Sequence, residues 1–598
     1  MLQVFQGNFY QALASGQHAL YEELFAERGN IYIRDWMTGS EYLAATNEPR
    51  AFVYADPRRV DDPVRTAKAL SYLLGYDIVE ASDEPEEVEE VVASGDILDL
   101  LEVESDEVDL EEGEIAAEVA VEVEDEVDPG YQYQQLLERL SKTDDPYEPI
   151  ARNVDDVTLQ KILDVDLDGI YYVLEKGRAY PETNLGGHIF GFVGADSSGE
   201  LTGKYGVEGF MDAFLAGENG AVGPGGDDTS KWAAVGTRGF SEAQDGGDLL
   251  LTIDRTIQYK ACSMLSAGVE RYDAEGGALV ILEPDTGRIM AMCSAPSFDP
   301  NAYFEVSDIS IFNSLASSIA YEPGSVFKPL VMAAALDDGV VTPTTTYEDT
   351  GEVVVDDFTI RNSDLKSNGI QTMTEVLEKS LNTGMVFIMR ALGEDRLREA
   401  VEDFGFGRLS GIELSGESPG TIASLSEEAE IYYATGSYGQ GLTVTPLQLA
   451  SAYGALANGG LLMQPYIVEE RRFANGDIQQ TYPEAVRQVI AKKTATTIGA
   501  MLVSVVENGY GDSAGVPGYY IAGKTGTAQV ASETGRGYQD NYTKATFVGY
   551  GPVEDPAYVM VVMLDHPRAV EWASDTSAPI FGEISEFLLH YLEVAPTR

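Results

Sequence analysis

The sequence predicts an α+β chain whose second half has the mixed strand and helix pattern of an α/β domain, and three observations carry that expectation. Five short runs rich in Val, Ile, Leu and Tyr lie between Ala278 and Leu564, two ahead of a long stretch with helical periodicity and three behind it. The connections within each group are short enough for antiparallel pairing. Amphipathic helical patterns flank the set, one after Asp254 and one from Pro579, as expected of a sheet covered on one face by terminal helices.

Residues 1–247 read as a separate, β-rich region. The chain opens Met1-Leu2-Gln3-Val4-Phe5-Gln6 and runs into an amphipathic stretch (Phe9, Leu13, Leu20, Leu24), as though it began just after something removed. Short β-rich pieces start at Arg28-Gly29-Asn30-Ile31, and a helical pattern covers Val64 to Leu74. From about residue 77 to 129 comes an acidic insertion in which about two dozen carboxylates alternate with Val, Ile and Leu and no Lys or Arg occurs. That composition suits a solvated segment better than a packed core. Helical turns follow near Leu136–Leu140 and Leu159–Leu163, then Arg178-Ala179-Tyr180-Pro181, Gly206-Val207-Glu208-Gly209, and a linker over Gly223 to Asp248.

Residues 248–598 read as one compact domain. Leu249 to Asp254 opens it, and the amphipathic helix runs to about Val269. Strands over Ala278–Leu282 and Arg288–Cys293 are joined by the hairpin signal Pro284-Asp285-Thr286-Gly287. The helical block contains a buried helix beginning near Gly324, a capping box at Thr372-Met373-Thr374-Glu375 whose helix should end near Ser380, and a helix started by Thr445-Pro446 and stopped at Asn458-Gly459-Gly460. Strands over Tyr519–Gln529, Lys544–Tyr550 and Ala557–Leu564 and a helix from Pro579 to about Leu592 complete the domain.

Composition excludes several classes of function. The chain carries 100 acidic and 38 basic residues for a net charge of -62, which argues against nucleic acid or anionic lipid as a partner and suggests a salt-adapted or cation-rich setting. The two cysteines, Cys262 in a helical and Cys293 in a strand pattern, read as core residues without a disulfide framework. The four histidines stand in no metal or triad spacing, so a serine nucleophile would need another base, and no metal or cofactor is expected. No run of about eighteen apolar residues marks a membrane span.

That other base is available three residues from a serine. In Pro323-Gly324-Ser325-Val326-Phe327-Lys328, Ser325 and Lys328 share one face of a helix start, where orphan N–H groups and the positive helix end favour a developing alkoxide. Apolar neighbours would desolvate the lysine and lower its pKa, as a base working near neutrality requires. A serine followed by a lysine three residues on also occurs by chance, and Ser is a good helix cap, so the pair gains weight only from Ser380-Leu381-Asn382 and Lys524-Thr525-Gly526-Thr527 downstream. The last lies on a predicted strand, where small residues leave an edge that an extended peptide can pair with and Lys524 offers a cation to a carboxylate. Gly518 to Thr525 also satisfies the spacing of a phosphate-binding loop. That reading requires a helix to open at Lys524-Thr525, whereas Gly526 to Val530 continues as strand.

Ser-x-x-Lys, Ser-x-Asn and Lys-Thr-Gly in that order resemble the penicillin-binding and serine β-lactamase superfamily. Arg28-Gly29, Arg178-x-Tyr180-Pro181, Gly206 to Gly209, Phe404-Gly405-Phe406-Gly407 and Gly439-Gln440-Gly441 are similar to class B penicillin-binding proteins, the septal type most of all. The resemblance implies a transpeptidase domain behind an elongated pedestal. It implies Ser325 as acylated nucleophile, Lys328 as base, Ser380 as proton relay and Asn382 as ligand of the substrate amide and of Lys328. Lys524, Thr525, Gly526 and Thr527 would line the substrate, with Lys524 and Thr525 at its carboxylate and the backbone N–H groups of Ser325 and Thr527 as oxyanion hole. The implied reaction is cross-linking of D-Ala-D-Ala stem peptides, blocked by β-lactams, in septal wall synthesis with a membrane glycosyltransferase and divisome proteins. The implied place is the outer face of the cytoplasmic membrane, with the anchor absent from this chain. The pattern departs from the family at Ile33, where an Asp is usual. Glu378 to Asn382 also mimics a class A β-lactamase motif but overlaps Ser-x-Asn instead of following it. A hydrolase, either carboxypeptidase or β-lactamase, and a non-synthetic β-lactam sensor or scaffold are the alternatives.

Overall fold

The structure is a computed structural model that describes residues 26–76, 131–183, 185–196, 201–224, 233–235, 238–241, 243–531 and 538–598. The acidic insertion at 77–129 lies outside the described residues. By compactness the chain forms two units, one of the described residues up to Thr46 together with Arg178–Arg598, the other Asn47–Gly177.

The smaller unit is built on the far half of the strand Glu41–Ala55, which pairs antiparallel with Glu148–Val154 and also with Ile170–Ala179. The helix Pro63–Leu74 begins where Asp62 accepts from Arg65 N and Pro63 supplies a preset φ, and it ends at Gly75 with φ of 76°. Helices Tyr131–Leu140 and Asp156–Asp164 join it over a core that includes Val53, Leu70, Leu136, Leu140 and Ile162.

In the larger unit the strand Asp248–Asp254 pairs in parallel with Ile31–Arg34 and antiparallel with Val468–Arg472. The strand Ile31–Arg34 also pairs antiparallel with the near half of Glu41–Ala55. A buried ion-pair hub ties the same region together: Glu208, with no exposed surface, accepts from Arg28 Nε at 2.7 Å, Arg178 Nε at 2.7 Å and Tyr180 OH at 3.3 Å. Part of the predicted linker over 223–248 is instead sheet, with Ala221–Pro224, Ala233–Val235 and Arg238–Ser241 paired around the last of the three.

The rest of the larger unit continues with helix α1 (Arg255–Arg271), capped by Asp254 accepting from Ile257 N, then strands β1 (Gly276–Leu282) and β2 (Ile289–Ala295). The helical block contributes α2 (Lys328–Asp337), α3 (Met373–Glu378), α4 (Asn382–Leu392), α5 (Pro446–Ala457) and α6 (Lys492–Asn508). Strands β3 (Ala522–Ala531), β4 (Tyr538–Gly551) and β5 (Tyr558–Asp565) and helix α7 (Ser577–Tyr591) close the chain. The five strands form one antiparallel sheet in the order β2-β1-β5-β4-β3.

Strand alternation divides the side chains between two cores. Leu279 and Ile281 of β1 and Val562 and Leu564 of β5 pack with Ile257, Leu265, Ile584 and Leu588 of α1 and α7. Ala278, Val280, Val559 and Val561 face the helical block with Leu447 and Leu449 of α5. Burial on both faces is why β1 and β5 read as unbroken apolar runs.

Two further expectations are corrected. Cys262 and Cys293 form a disulfide, with Cα atoms 5.6 Å apart, because α1 lies on β2 and brings together residues 31 apart in the chain. Sequence spacing carries no trace of that packing. The strand expected from Tyr519 begins only at Ala522, since Gly518 (φ 90°) turns the chain and Tyr519 OH is tied to Val594 O at 2.7 Å.

Candidate active site

Ser325 sits in a 3-10 turn, Gly324–Phe327, that runs directly into α2. In a 3-10 turn residues i and i+3 eclipse, so Ser325 and Lys328 are stacked more closely in rotation than an α-turn would place them. The turn is locked by its neighbours. Gly324 N donates to Gly439 O at 3.0 Å, Gly441 N to Glu322 Oε1 at 3.0 Å, and Tyr453 OH to Val326 O at 2.6 Å. A Cβ on Gly439 would come within 2.2 Å of Gly324 O, and Gly439 has φ of 83°, so no other residue seats the turn this way. Helix α2 is buried from Lys328 through Ala335, which makes it the central helix of the block.

Lys328 has no exposed surface. Its Nζ lies 2.6 Å from Ser380 O, 3.1 Å from Ser380 Oγ and 2.8 Å from Asn382 Oδ1. Burial, and secondly the charge of Lys524, hold its pKa well below that of an ordinary lysine. A carbonyl and an amide oxygen can only accept, so a neutral amine meets both with its two N–H groups and keeps its lone pair for a hydroxyl.

The junction between α3 and α4 explains how both partners reach Lys328. The capping box starts α3, with Thr372 and Glu375 each accepting from the other's backbone N–H. The helix then ends in a Schellman motif: Leu381 N donates to Val376 O at 2.9 Å and Ser380 N to Leu377 O at 3.3 Å. Ser380 occupies the left-handed position, with φ of 55°, that glycine usually takes. Its reversed backbone aims carbonyl and hydroxyl together at Lys328. Two residues on, Asn382 opens α4 and donates its Nδ2 to Arg361 O at 2.9 Å, which leaves Oδ1 for the lysine.

The other wall is β3, an edge strand of the sheet with β4 as its paired neighbour. Lys524 is buried and pairs in register with Val548; burial pushes its pKa down to about 7. Its Nζ donates to Thr525 O at 3.0 Å. Gly526 lies against the Ser325 turn, where a Cβ would stand 3.0 Å from both Pro323 O and Val326 N. Thr527 Oγ1 accepts from Ala573 N at 3.2 Å, so the segment after β5 supports the end of the motif. Lys524 to Thr527 are strand throughout, which removes the phosphate-loop alternative. Glu378 of the β-lactamase-like pattern turns away and accepts from Ser504 Oγ at 2.5 Å.

The structure thus brings the three sequence motifs together: Lys328 meets Ser380 and Asn382, Gly526 lies against the Ser325 turn, and Lys524 is near enough for its charge to act on Lys328. Sequence reasoning passed over Arg361, Tyr453 and the seating role of Gly439. Arg361 and Tyr453 act through a backbone carbonyl or a long-range hydroxyl contact that no motif spacing encodes.

Both halves of the chain match known proteins. Residues 277–586 match the penicillin binding protein transpeptidase domain and residues 23–251 the penicillin-binding protein dimerisation domain. The chain is 35% identical to stage V sporulation protein D of Bacillus subtilis over 455 residues, covering 75% of this chain and 69% of the relative. It is 30% identical to peptidoglycan D,D-transpeptidase FtsI of Escherichia coli, covering 75% of this chain and 73% of the relative. Among solved structures it is similar to penicillin binding protein 3 of Mycobacterium tuberculosis complexed with aztreonam, with a TM-score of 0.63, 28% identity, and coverage of 71% of this chain and 92% of that one.

Proposed function

We propose that this chain, which belongs to the penicillin-binding proteins built of a dimerisation domain and a transpeptidase domain, acylates Ser325 with a stem peptide and passes the acyl group to a second strand. The chain is a peptidoglycan D,D-transpeptidase, and β-lactams acylate it as substrate mimics. The observation that carries the residue assignment is the buried, low-pKa Lys328 held by Ser380 and Asn382 one turn from Ser325.

The stem peptide lies extended along the open edge of β3, with its terminal carboxylate at Lys524, Thr525 and Thr527. Neutral Lys328 takes the Ser325 Oγ proton as Oγ attacks the carbonyl of the penultimate D-Ala. The oxyanion is met by the backbone N–H groups of Ser325 and Thr527, which the close approach of Gly526 to the turn brings near each other. Lys328 returns the proton through Ser380 Oγ to the departing D-Ala nitrogen, leaving an ester on Ser325. An amine of a second strand then attacks that ester, giving its proton back along the same path and freeing Ser325. Asn382 holds Lys328 and offers its remaining N–H to the peptide amide.

We further propose that residues 1–247 form the pedestal and 248–598 the transpeptidase domain. The work is placed at the outer face of the cytoplasmic membrane, in septal wall synthesis beside a membrane glycosyltransferase and divisome proteins. One observation supports this location: the Cys262–Cys293 disulfide suits an oxidising compartment. Among the described residues no helix is long and apolar enough to cross a membrane. Incubation with lipid-linked precursor and a partner polymerase tests the reaction. Cross-linked products are expected; trimmed stem peptides alone would assign a carboxypeptidase.

A further inference from the structure

Asp349 ends the strand Thr346–Asp349 in the helical block, has no exposed surface, and takes no part in the chemistry above. A carboxylate with no access to water needs donors on both oxygens. Oδ1 accepts from Gly351 N at 3.0 Å, Asn362 Nδ2 at 2.9 Å and Thr383 Oγ1 at 2.8 Å. Oδ2 accepts from Asn362 Nδ2 at 3.0 Å, Asn368 N at 3.0 Å and Asn368 Nδ2 at 2.8 Å. Burial works to raise its pKa, but the bonds from Asn368, Thr383, Gly351 and Asn362 outweigh that and hold it below the usual carboxylate range.

What this anion grips is the start of α4. Leu381, the N-cap, has no side-chain acceptor, so the first N–H groups of the helix need one from elsewhere. Thr383 N donates to Asn362 Oδ1 at 3.2 Å, while Thr383 Oγ1 bonds Asp349. The charge of Asp349 also lies by the positive end of the helix, where it is favourable. One residue earlier the pattern repeats, with Asn382 Nδ2 on Arg361 O at 2.9 Å. Residues 361–362 therefore hold 382–383 in register, and Asp349 clamps Asn362 from behind. With Nδ2 fixed on Arg361, Asn382 can present only Oδ1 to Lys328.

We infer that Asp349 is a positioning residue for acylation: through Asn362 and Thr383 it locks the first turn of α4, so that Asn382 and Ser380 meet Lys328 in a single arrangement. The inference rests on Lys328 acting as the base for Ser325, as proposed above. Asp349 touches no substrate. Its effect therefore falls on the rate of the covalent step, while Lys524, Thr525 and Thr527 on the opposite wall still bind the ligand.

Saturation kinetics with a chromogenic β-lactam separate the two quantities in the full chain. Asp349→Asn points an NH2 group at donors, and Thr383→Val removes the hydroxyl at nearly constant shape, whereas Thr383→Ser keeps it. The expected result is an acylation rate constant down by about tenfold or more in Asp349→Asn and Thr383→Val, with the dissociation constant of the preceding complex within about threefold of wild type. Thr383→Ser should stay within about threefold in both, and the double variant should be no slower than the worse single one. A folded Asp349→Asn that acylates at the wild-type rate overturns the inference, as does a loss confined to the dissociation constant. Should Asp349→Asn not fold, the comparison of Thr383→Val with Thr383→Ser decides, since equal rates in those two contradict it. A wild type that fails to label at Ser325 would instead remove the underlying reading, and that is seen before any variant is made.

Discussion

Replacing Lys328 by arginine puts a permanent cation where the proposed mechanism needs a neutral base. An ordinary lysine, with a pKa of about 10.4, is neutral in roughly one molecule in a few thousand at pH 7. Burial of Lys328 and, secondly, the nearby charge of Lys524 lower its pKa and so raise the share of usable base, and a positioned general base contributes ~10²–10⁴ in rate. Guanidinium keeps its proton at any working pH. It still finds the acceptors Ser380 O and Asn382 Oδ1, which favours retention of the fold. The assay is the second-order acylation rate with fluorescent penicillin against pH, with thermal unfolding as the control. Wild-type acylation should climb with pH along a limb far below the range of an exposed lysine, because the active form is the deprotonated amine. It should fall again as Lys524, whose pKa burial brings to about 7, loses the charge proposed to hold the carboxylate. The Lys328→Arg variant should be at least ~10³-fold slower, without a rising limb. A folded variant that acylates within about tenfold of wild type, or a wild-type limb near that of free lysine, would refute the assignment.

The buried Lys524 also links stability to pH. Its folded value of about 7 lies below the ordinary 10.5, so between those limits the unfolded chain binds more protons and stability rises with pH. The unfolding free energy of wild type relative to Lys524→Met should therefore improve by about 2 kcal/mol from pH 7 to 9, and no change would show that Lys524 is not buried as described. Serine at both Cys262 and Cys293 should lower stability by about 3–4 kcal/mol from loop closure alone while β-lactam labelling persists below the new melting temperature; unchanged unfolding would mean that the bridge does not form. Gly526→Ala should fold and yet acylate at least about tenfold more slowly, since its Cβ must push the Ser325 turn away from β3. Deleting residues 78–129 in favour of a flexible linker should leave the labelling rate near wild type, and a large loss in a folded deletion would tie that segment to the site.

Much of the catalytic fold was legible because its signals are local or periodic. Strands β1 and β5 are apolar on both faces, and α3 and α5 announce themselves by capping boxes at Thr372 and Thr445. Ser325, Lys328, Ser380, Asn382 and Lys524 could be named because their order along the chain is distinctive. Their geometry was not legible. That Ser380 adopts a left-handed backbone follows from the Schellman closure of α3, which depends on where Leu381 packs. The Cys262–Cys293 bridge depends on α1 lying over β2, and the Asp349 hub draws on residues from 349 to 383 that share no periodic pattern. Tyr519 to Ile521 misled for the reverse reason: buried aromatic and aliphatic residues satisfy a strand pattern even where the chain is turning to pack against the C-terminal end.

Peptide mapping after labelling with penicillin identifies the nucleophile without assuming a substrate. One acylated peptide is expected, carrying the label on Ser325, and it should disappear in Ser325→Ala with the fold unchanged. A label on Ser380 or on any other residue, or labelling that survives Ser325→Ala, would contradict it.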